Sequence, residues 1–322
     1  MVAAHSPMSR SRSLIAGRTG SRIRCVVSML IALSQAIAAQ TTPATPATRV
    51  AVDFSHVAVP LDPATFTAIA TSAFLRTEFG GFEERLAYQT SSDTNYFYYG
   101  RDSFLEFLNS PGRMPVGSAT LAFVVRRPGD LHVAIDALLA QRPRVIAYSL
   151  NFRQLGVESV ANFFRASIRP AVQRPEQRRS GPSTTLRTDI VERVPEFLRQ
   201  FDSTFPPDSV GVTNVAYLSR RWKPSGYLRS VTGVTVAADS TDTIELAGDL
   251  SALGYDVRQA ADTIIATRRG FALSLLPATT SLRGVLAVRL ATARRKEGQT
   301  VYRFGPRSIL RFVNDSTAYW TF

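Results

Sequence analysis

The chain has 322 residues, 45% of them apolar, with a formal net charge of +13 and a single cysteine. That length suits one large domain or two modest ones, and the apolar fraction is enough for a real core. One cysteine, Cys25, and three histidines exclude a disulfide framework, a Cys/His catalytic pair and a histidine-rich zinc site. The basic excess is almost all arginine, since Lys223 and Lys296 are the only lysines. Dibasic pairs at Arg126-Arg127, Arg178-Arg179, Arg220-Arg221, Arg268-Arg269 and Arg294-Arg295 are spread over strand ends and loops. A nucleic-acid surface gathers such residues on one face, so nucleic acid is not an expected partner.

Residues 1–39 have the pattern of an export signal. Arg10, Arg12, Arg18, Arg22 and Arg24 precede the apolar run CVVSMLIALSQAIA, and Ala36-Ile37-Ala38 offers a small-x-small cleavage site. The run is short of the ~20 residues that a membrane span needs, so no integral membrane segment is expected in the mature chain. The destination is then a bacterial periplasm or the exterior. Residues 40–50, with QTTPATPAT, form a flexible linker.

Val52 to Val59 is rich in β-formers and predicts a strand. Asp62 followed by Pro63 is a helix start, an N-cap with proline at the first helical position. Phe66, Ile69, Ala70, Ala73 and Phe74 then recur at helical spacing. FEERLAYQ predicts a strand, and TNYFYYG–DSFLEFLN a hairpin, which completes the order β-α-β-β-β. The pattern restarts at Ala119 with ATLAFVVRR, a helix capped by Asp130, and the strands RVIAYSLNF and NFFRASIRP. Residues 51–172 therefore make a first domain of two modules, and 173–185 a polar, Pro/Gly-bearing linker. Leu186, Ile190, Val194, Phe197 and Phe201 predict an amphipathic helix, kinked at Pro195. A third module opens near Tyr227, where VTGVTVAAD lines up with FSHVAVPLD and places Gly233 opposite His56. Its helix TIELAGDLSAL ends at Gly254. The last unit has only ARRKEGQ where its helix belongs, so the second domain, within 186–322, is degenerate.

Two distant stretches look like copies of one another. YFYYGRDSFLEFLN runs from Tyr96 to Asn109 and VYRFGPRSILRFVN from Val301 to Asn314. Without gaps, Gly100 meets Gly305, Ser103 meets Ser308 and Leu105 meets Leu310. A repeated supersecondary unit restricts the fold. The predicted fold class is α+β, with repeated βαβββ modules paired into curved, cleft-forming mixed sheets.

These modules resemble the glyoxalase-like branch of the vicinal oxygen chelate superfamily, the glyoxalase and extradiol dioxygenase fold. The residues that carry the likeness are the first-strand histidine of FSHVAV, Thr94-Asn95, the Gly turn, Leu105-Glu106, and the strand GSATLAFVV before an Asp-capped helix. The likeness is good over Val52 to Pro170 and weaker over Tyr227 to Phe322.

The resemblance implies a divalent metal (Zn, Ni, Fe or Mn) held by His56 and Glu106, with Glu106 also the catalytic carboxylate. The third ligand position falls near Thr120 and the fourth near Arg311, and neither residue is a ligand. Asp53, Tyr98 and Glu158 are further donors. Alternation puts Tyr96 and Tyr98 on one strand face, where with Thr120 they would line a pocket; packing in the core is the competing reading. His132 reads as a surface histidine. The expectation is an exported protein that binds a small organic molecule in the first-domain cleft, with metal-dependent lyase, isomerase or dioxygenase chemistry. The alternative is a non-catalytic binding or structural envelope protein, and either form is compatible with a homodimer.

Overall fold

A computed structural model of the chain describes residues 50, 52–86, 94–109, 114–127, 129–141, 146–151, 162–169, 186–193, 199 and 212–322. The expected signal at 1–39, residues 40–49, the linker at 173–185, Glu158 and Pro195 lie outside the described residues.

The first module contains β1 (Val52–Leu61), α1 (Pro63–Ala70), β2 (Gly81–Leu86), β3 (Thr94–Tyr99) and β4 (Phe104–Asn109). Asp62 caps α1 as expected, accepting from the Thr65 amide at 3.0 Å, and Pro63 fills the first helical position. A π-helical turn, Leu75–Phe79, leads to β2. The second module contains β5 (Ala119–Val125), α2 (Asp130–Leu139), β6 (Ile146–Asn151), β7 (Asn162–Arg169) and β8 (Leu186–Arg193). Buried Glu192 on β8 accepts from the Gly129 and Leu131 amides and so satisfies the N-terminus of α2. The short helix α3 (Asn214–Leu218) precedes the third module: β9 (Leu228–Ala238), α4 (Ser240–Ala252), β10 (Asp256–Ala260), β11 (Thr263–Arg268) and β12 (Phe271–Pro277). The fourth has strands only: β13 (Gly284–Thr292), β14 (Val301–Phe304), β15 (Ser308–Phe312) and β16 (Thr317–Thr321).

The modules pair into two eight-stranded mixed sheets, ordered β2-β3-β4-β1-β5-β8-β7-β6 and β10-β11-β12-β9-β13-β16-β15-β14. The fold class is α+β, as the repeated pattern predicts. No helix among the described residues is long and apolar enough to cross a membrane.

Two expectations are corrected. The first part of the helix expected from Leu186 is strand β8, in the first sheet and beyond the boundary expected at 172, while Val194, Phe197 and Phe201 lie outside the described residues. Leu186 and Ile190 stand four apart, a spacing that fits a helix face and a strand face equally. Leu186, Thr188 and Ile190 point one way and Arg187 and Asp189 the other, so period two is the operative one.

The second correction concerns the repeat. Tyr96–Asn109 spans the third and fourth strands of its module, whereas Val301–Asn314 spans β14 and β15, the second and third strands of its own. The strand beside β13 is β16, which places Tyr319 next to Arg289 and leaves Arg311 one strand away. The missing helix shows in the strand direction. β1 and β9 lie parallel to β4 and β12 because a helical crossover carries the chain back. Residues 293–300 are too few for that return, and β13 pairs with β16 antiparallel.

One continuous core joins both sheets. Trp320 of β16 is fully buried and meets Phe79 at 5.5 Å and Phe107 at 4.9 Å, edge to face in both cases. Phe74 stacks on Tyr302 at 4.1 Å. The two matched glycines sit at close approaches between the halves: a Cβ on Gly100 would stand 2.6 Å from the Arg229 carbonyl oxygen, and one on Gly305 (φ 77°) 2.6 Å from Thr65 Oγ1.

Candidate functional site

The strand register gathers chemistry on one face of the first sheet. His56 on β1 lies beside Phe104 on β4 and Ala122 on β5, and Ala122 lies beside Asp189 on β8. Two residues along, Ala58 lies beside Glu106 and Thr120, Glu106 beside Phe97, Phe97 beside Glu83, and Thr120 beside Arg187. Partners across a ladder share a face, as do residues two apart on one strand. His56, Glu106, Asp189, Arg187, Thr120, Glu83, Phe97, Phe104 and Tyr99 therefore share it.

The two expected ligands come together. His56 Nε2 is 3.8 Å from Glu106 Oε2, with both side chains largely buried. The imidazole stacks on Phe104 at 4.2 Å, and its Nδ1 is 3.2 Å from Ser55 Oγ. Glu106 Oε1 accepts from Asn95 Nδ2 at 2.9 Å. Behind the histidine lies a buried polar cluster. Arg193 Nη2 donates to Ser55 Oγ (3.0 Å) and to Asn214 Oδ1 (2.8 Å), and its guanidinium lies 3.8 Å over the Tyr217 ring. Asn214 Nδ2 donates to the Phe54 carbonyl. Helix α3, capped by Thr213, thus holds Asn214 and Tyr217 against the edge of the site.

Burial and three guanidinium groups set the protonation states. His56 is pushed down to about 3, first by burial and then by Arg193, Arg85 and Arg187. Burial lifts Glu106 to about 7 despite Arg85 and the Asn95 hydrogen bond, and the Asp189 charge adds to the rise. Near neutral pH the site thus presents an uncharged imidazole beside a carboxyl group poised between its two forms.

The other expected residues fall elsewhere. Tyr96 and Tyr98 lie beside Phe107 and Leu105, on the face opposite Glu106. Both are core residues: Tyr96 packs on Phe66 of α1, and Tyr98 on Phe79 and Phe107. The residues of β3 that share the face of Glu106 are the alternate ones, Phe97 and Tyr99. Thr120 does share the site face, with its Oγ1 3.5 Å from Met114 Sδ. Asp53 is held by Arg126 at 2.5 Å. His132 is exposed beside Asp136.

Sequence reasoning missed Asp189. Ala58 pairs with Glu106 and Ala122 with Asp189, so Asp189 holds in the second module the place that Glu106 holds in the first. Its carboxylate accepts from Arg187 Nε at 3.0 Å. The period-two pattern of LRTDIVER carried the signal.

A tightly held catalytic metal takes three protein ligands. Among the described residues no three His, Cys, Asp or Glu side chains gather to hold an ion. His56 and Glu106 are two, Asp189 is bound to Arg187, and the surrounding arginines disfavour added positive charge. This donor set does not fit a firmly bound divalent ion.

Among solved structures, the chain is similar to a hypothetical protein from Staphylococcus aureus, with 8% identity, a TM-score of 0.43, and 83% of this chain and 97% of that one covered. It is similar to the Mn(II)-bound glyoxalase from Novosphingobium aromaticivorans at 8% identity and TM-score 0.40, over 74% of this chain and 64% of that one. A halotolerant catechol dioxygenase is similar at 9% identity and TM-score 0.39, over 76% and 69%. No curated protein matches. Residues 54–322 match the model of DUF5829, described as a family of unknown function, and the chain belongs to that family.

Proposed function

We propose that the chain is a glyoxalase-like member of the vicinal oxygen chelate superfamily that binds a small organic anion on the His56–Glu106 face of its first sheet. The observation that carries this reading is the pairing of His56 Nε2 with Glu106 Oε2 at 3.8 Å in a largely buried setting. Arg85 and Arg187 supply positive charge on that face, and Phe97, Phe104 and Tyr99 supply an apolar floor. In the catalytic form of the reading, Glu106 in its ionised form accepts a proton from the bound molecule and returns it to a neighbouring atom, while the uncharged His56 hydrogen-bonds the same molecule. Proton-transfer chemistry of the isomerase or lyase kind fits these two groups without any step through a metal.

The test is calorimetric titration of the full chain with small carboxylates and catechol at pH 6 and pH 8, repeated on His56→Ala and Glu106→Gln. Saturable binding that both substitutions abolish supports the reading. Binding that both leave intact removes it. Binding without turnover selects the non-catalytic form. Stoichiometric Mn(II) or Zn(II) bound with His56-dependent affinity would reinstate the metal.

We propose also that residues 1–39 direct export, on the strength of their basic region, apolar run and cleavage pattern. N-terminal sequencing of protein recovered from a producing cell's envelope or medium tests this. An intact Met1 or Met8 terminus removes it.

A further inference from the structure

A cavity of about 340 Å³ shares Asn214 with the polar cluster behind His56. It sits where the start of β1, the β3–β4 turn, the N-terminus of α3, β9 and the β11–β12 turn converge. That volume is at the small end of ligand pockets, which run from about 300 to 1,000 Å³, and it suits a molecule of monosaccharide size.

Its lining combines three kinds of group. Phe54 and Phe271, stacked at 4.1 Å, form an apolar wall. The Tyr255 hydroxyl and Asp53 Oδ1 are both buried without a hydrogen-bond partner among the described residues. Tyr255 is 5% exposed, and burial together with the nearby Asp53 charge holds its hydroxyl protonated. A buried polar atom left unpaired is destabilising, so these two call for a bound partner. The partner must donate to a carboxylate and accept from a phenol, and a hydroxyl group does both.

The third group is cationic. Arg126 is taken by Asp53, and Arg268 donates to the Leu253 carbonyl at 2.8 Å. Arg269 has no carboxylate partner among the described residues. It sits in the left-handed region (φ 49°) with Gly270 (φ 81°) after it, in the tight turn between β11 and β12. Asn or Gly is the ordinary residue at such a position, and a longer side chain there stores strain. Strain retained at a pocket rim goes with a functional placement of the side chain.

We propose that this cavity binds an acidic monosaccharide, with a sugar hydroxyl bridging Asp53 Oδ1 and the Tyr255 hydroxyl and the anionic group meeting Arg269. The test is calorimetric titration of the full chain with sodium glucuronate, glucose 6-phosphate and glucose. Saturable binding of glucuronate or glucose 6-phosphate, with glucose about tenfold weaker or more, supports the proposal, and the stronger of the two acids identifies the anion as carboxylate or phosphate. Arg269→Asn should weaken that binding by about tenfold while leaving the melting temperature unchanged or raised, because Asn relieves the turn. Tyr255→Phe should weaken it about three- to tenfold with no loss of melting temperature, the size of one hydrogen bond. Glu106→Gln should leave it unchanged, which separates this cavity from the first-sheet site. Absence of saturable binding by both acids overturns the proposal. So do wild-type affinity in Arg269→Asn, a destabilised Tyr255→Phe, or loss of binding in Glu106→Gln.

Discussion

At the place that His56 holds in the first sheet, the second sheet has Gly233. The equivalence follows from Asp62 and Asp239, which cap the helices after β1 and β9. Gly233 lies beside Ala272 as His56 lies beside Phe104, and Thr235 lies beside Ser274 as Ala58 lies beside Glu106. The position of Glu106 is therefore taken by Ser274. Arg289, the ladder partner of Gly233, reaches back to bond Thr232 through its Nε at 3.1 Å and its Nη2 at 2.9 Å. Its side chain lies where an imidazole on Gly233 would stand, with Nε 3.4 Å from a Cβ built there. The same scaffold thus carries titratable groups on one sheet and a self-satisfied arginine on the other. Backbone plan and site chemistry are separable here, as a fold that hosts many functions allows.

The comparison breaks most visibly if the halves do not share a core. Trp320→Ala should cost about 4 kcal/mol, and denaturant unfolding should remain a single transition by circular dichroism and by tyrosine fluorescence. Two separated transitions would make the sheets independent.

Next in size is the pH dependence of the first-sheet site. Glu106 stays protonated in the folded chain up to about pH 7, against 4.5 for a free side chain. The native state therefore loses stability as pH rises from about 4.5 to 7, and the full cost stands above that window. Glu106→Gln should be stabilised by about 3 kcal/mol relative to wild type at pH 8 and by nothing below pH 4.5. His56 has the opposite sign. Its folded value near 3 lies below the free 6.5, so stability is lost as pH falls from 6.5 toward 3, and His56→Gln should flatten that limb. Melting temperatures across pH 3–9 check both. Ser274→Gln, at the matched position of the second sheet, should leave both limbs as they are in wild type.

Arg193→Met should cost about 2 kcal/mol, since it leaves Asn214 Oδ1 without its charged donor, and should move the His56 imidazole up toward its ordinary range in an NMR titration. An unmoved His56 would mean that burial, with Arg85 and Arg187, sets it without Arg193. Smallest is Arg289→Ala, at about 1 kcal/mol by thermal melting, because the Thr232 hydroxyl it releases is near solvent.

Much of this was legible in the residues. Helix caps at Asp62 and Gly254 and the alternation of β1, β3, β5 and β9 gave the modules, and the length of the 293–300 loop gave the degenerate one. The His56–Glu106 pair was implied by the resemblance to glyoxalase-like modules. What stayed hidden depended on pairing. Asp189 was masked by the i, i+4 ambiguity of β8. Which face of β3 looks toward Glu106 is set by its register with β4, Tyr98 beside Leu105 and Phe97 beside Glu106, and no local signal fixes that. The hairpin likeness misled because Gly and Ser serve packing in both copies: Ser103 Oγ accepts from the Val231 amide, and Ser308 Oγ from the Trp320 indole.

The contact of Gly305 with Thr65, and of Tyr302 with Phe74, joins the last-made hairpin to the first-made helix. Such long-range closure slows folding, because the chain ends must meet before either is rewarded. As the chain is made, the first sheet waits with its aromatic side uncovered until the 129 residues after Arg193 (322 − 193) have followed. Trp320 is the side chain that finally covers Phe79 and Phe107 of that half.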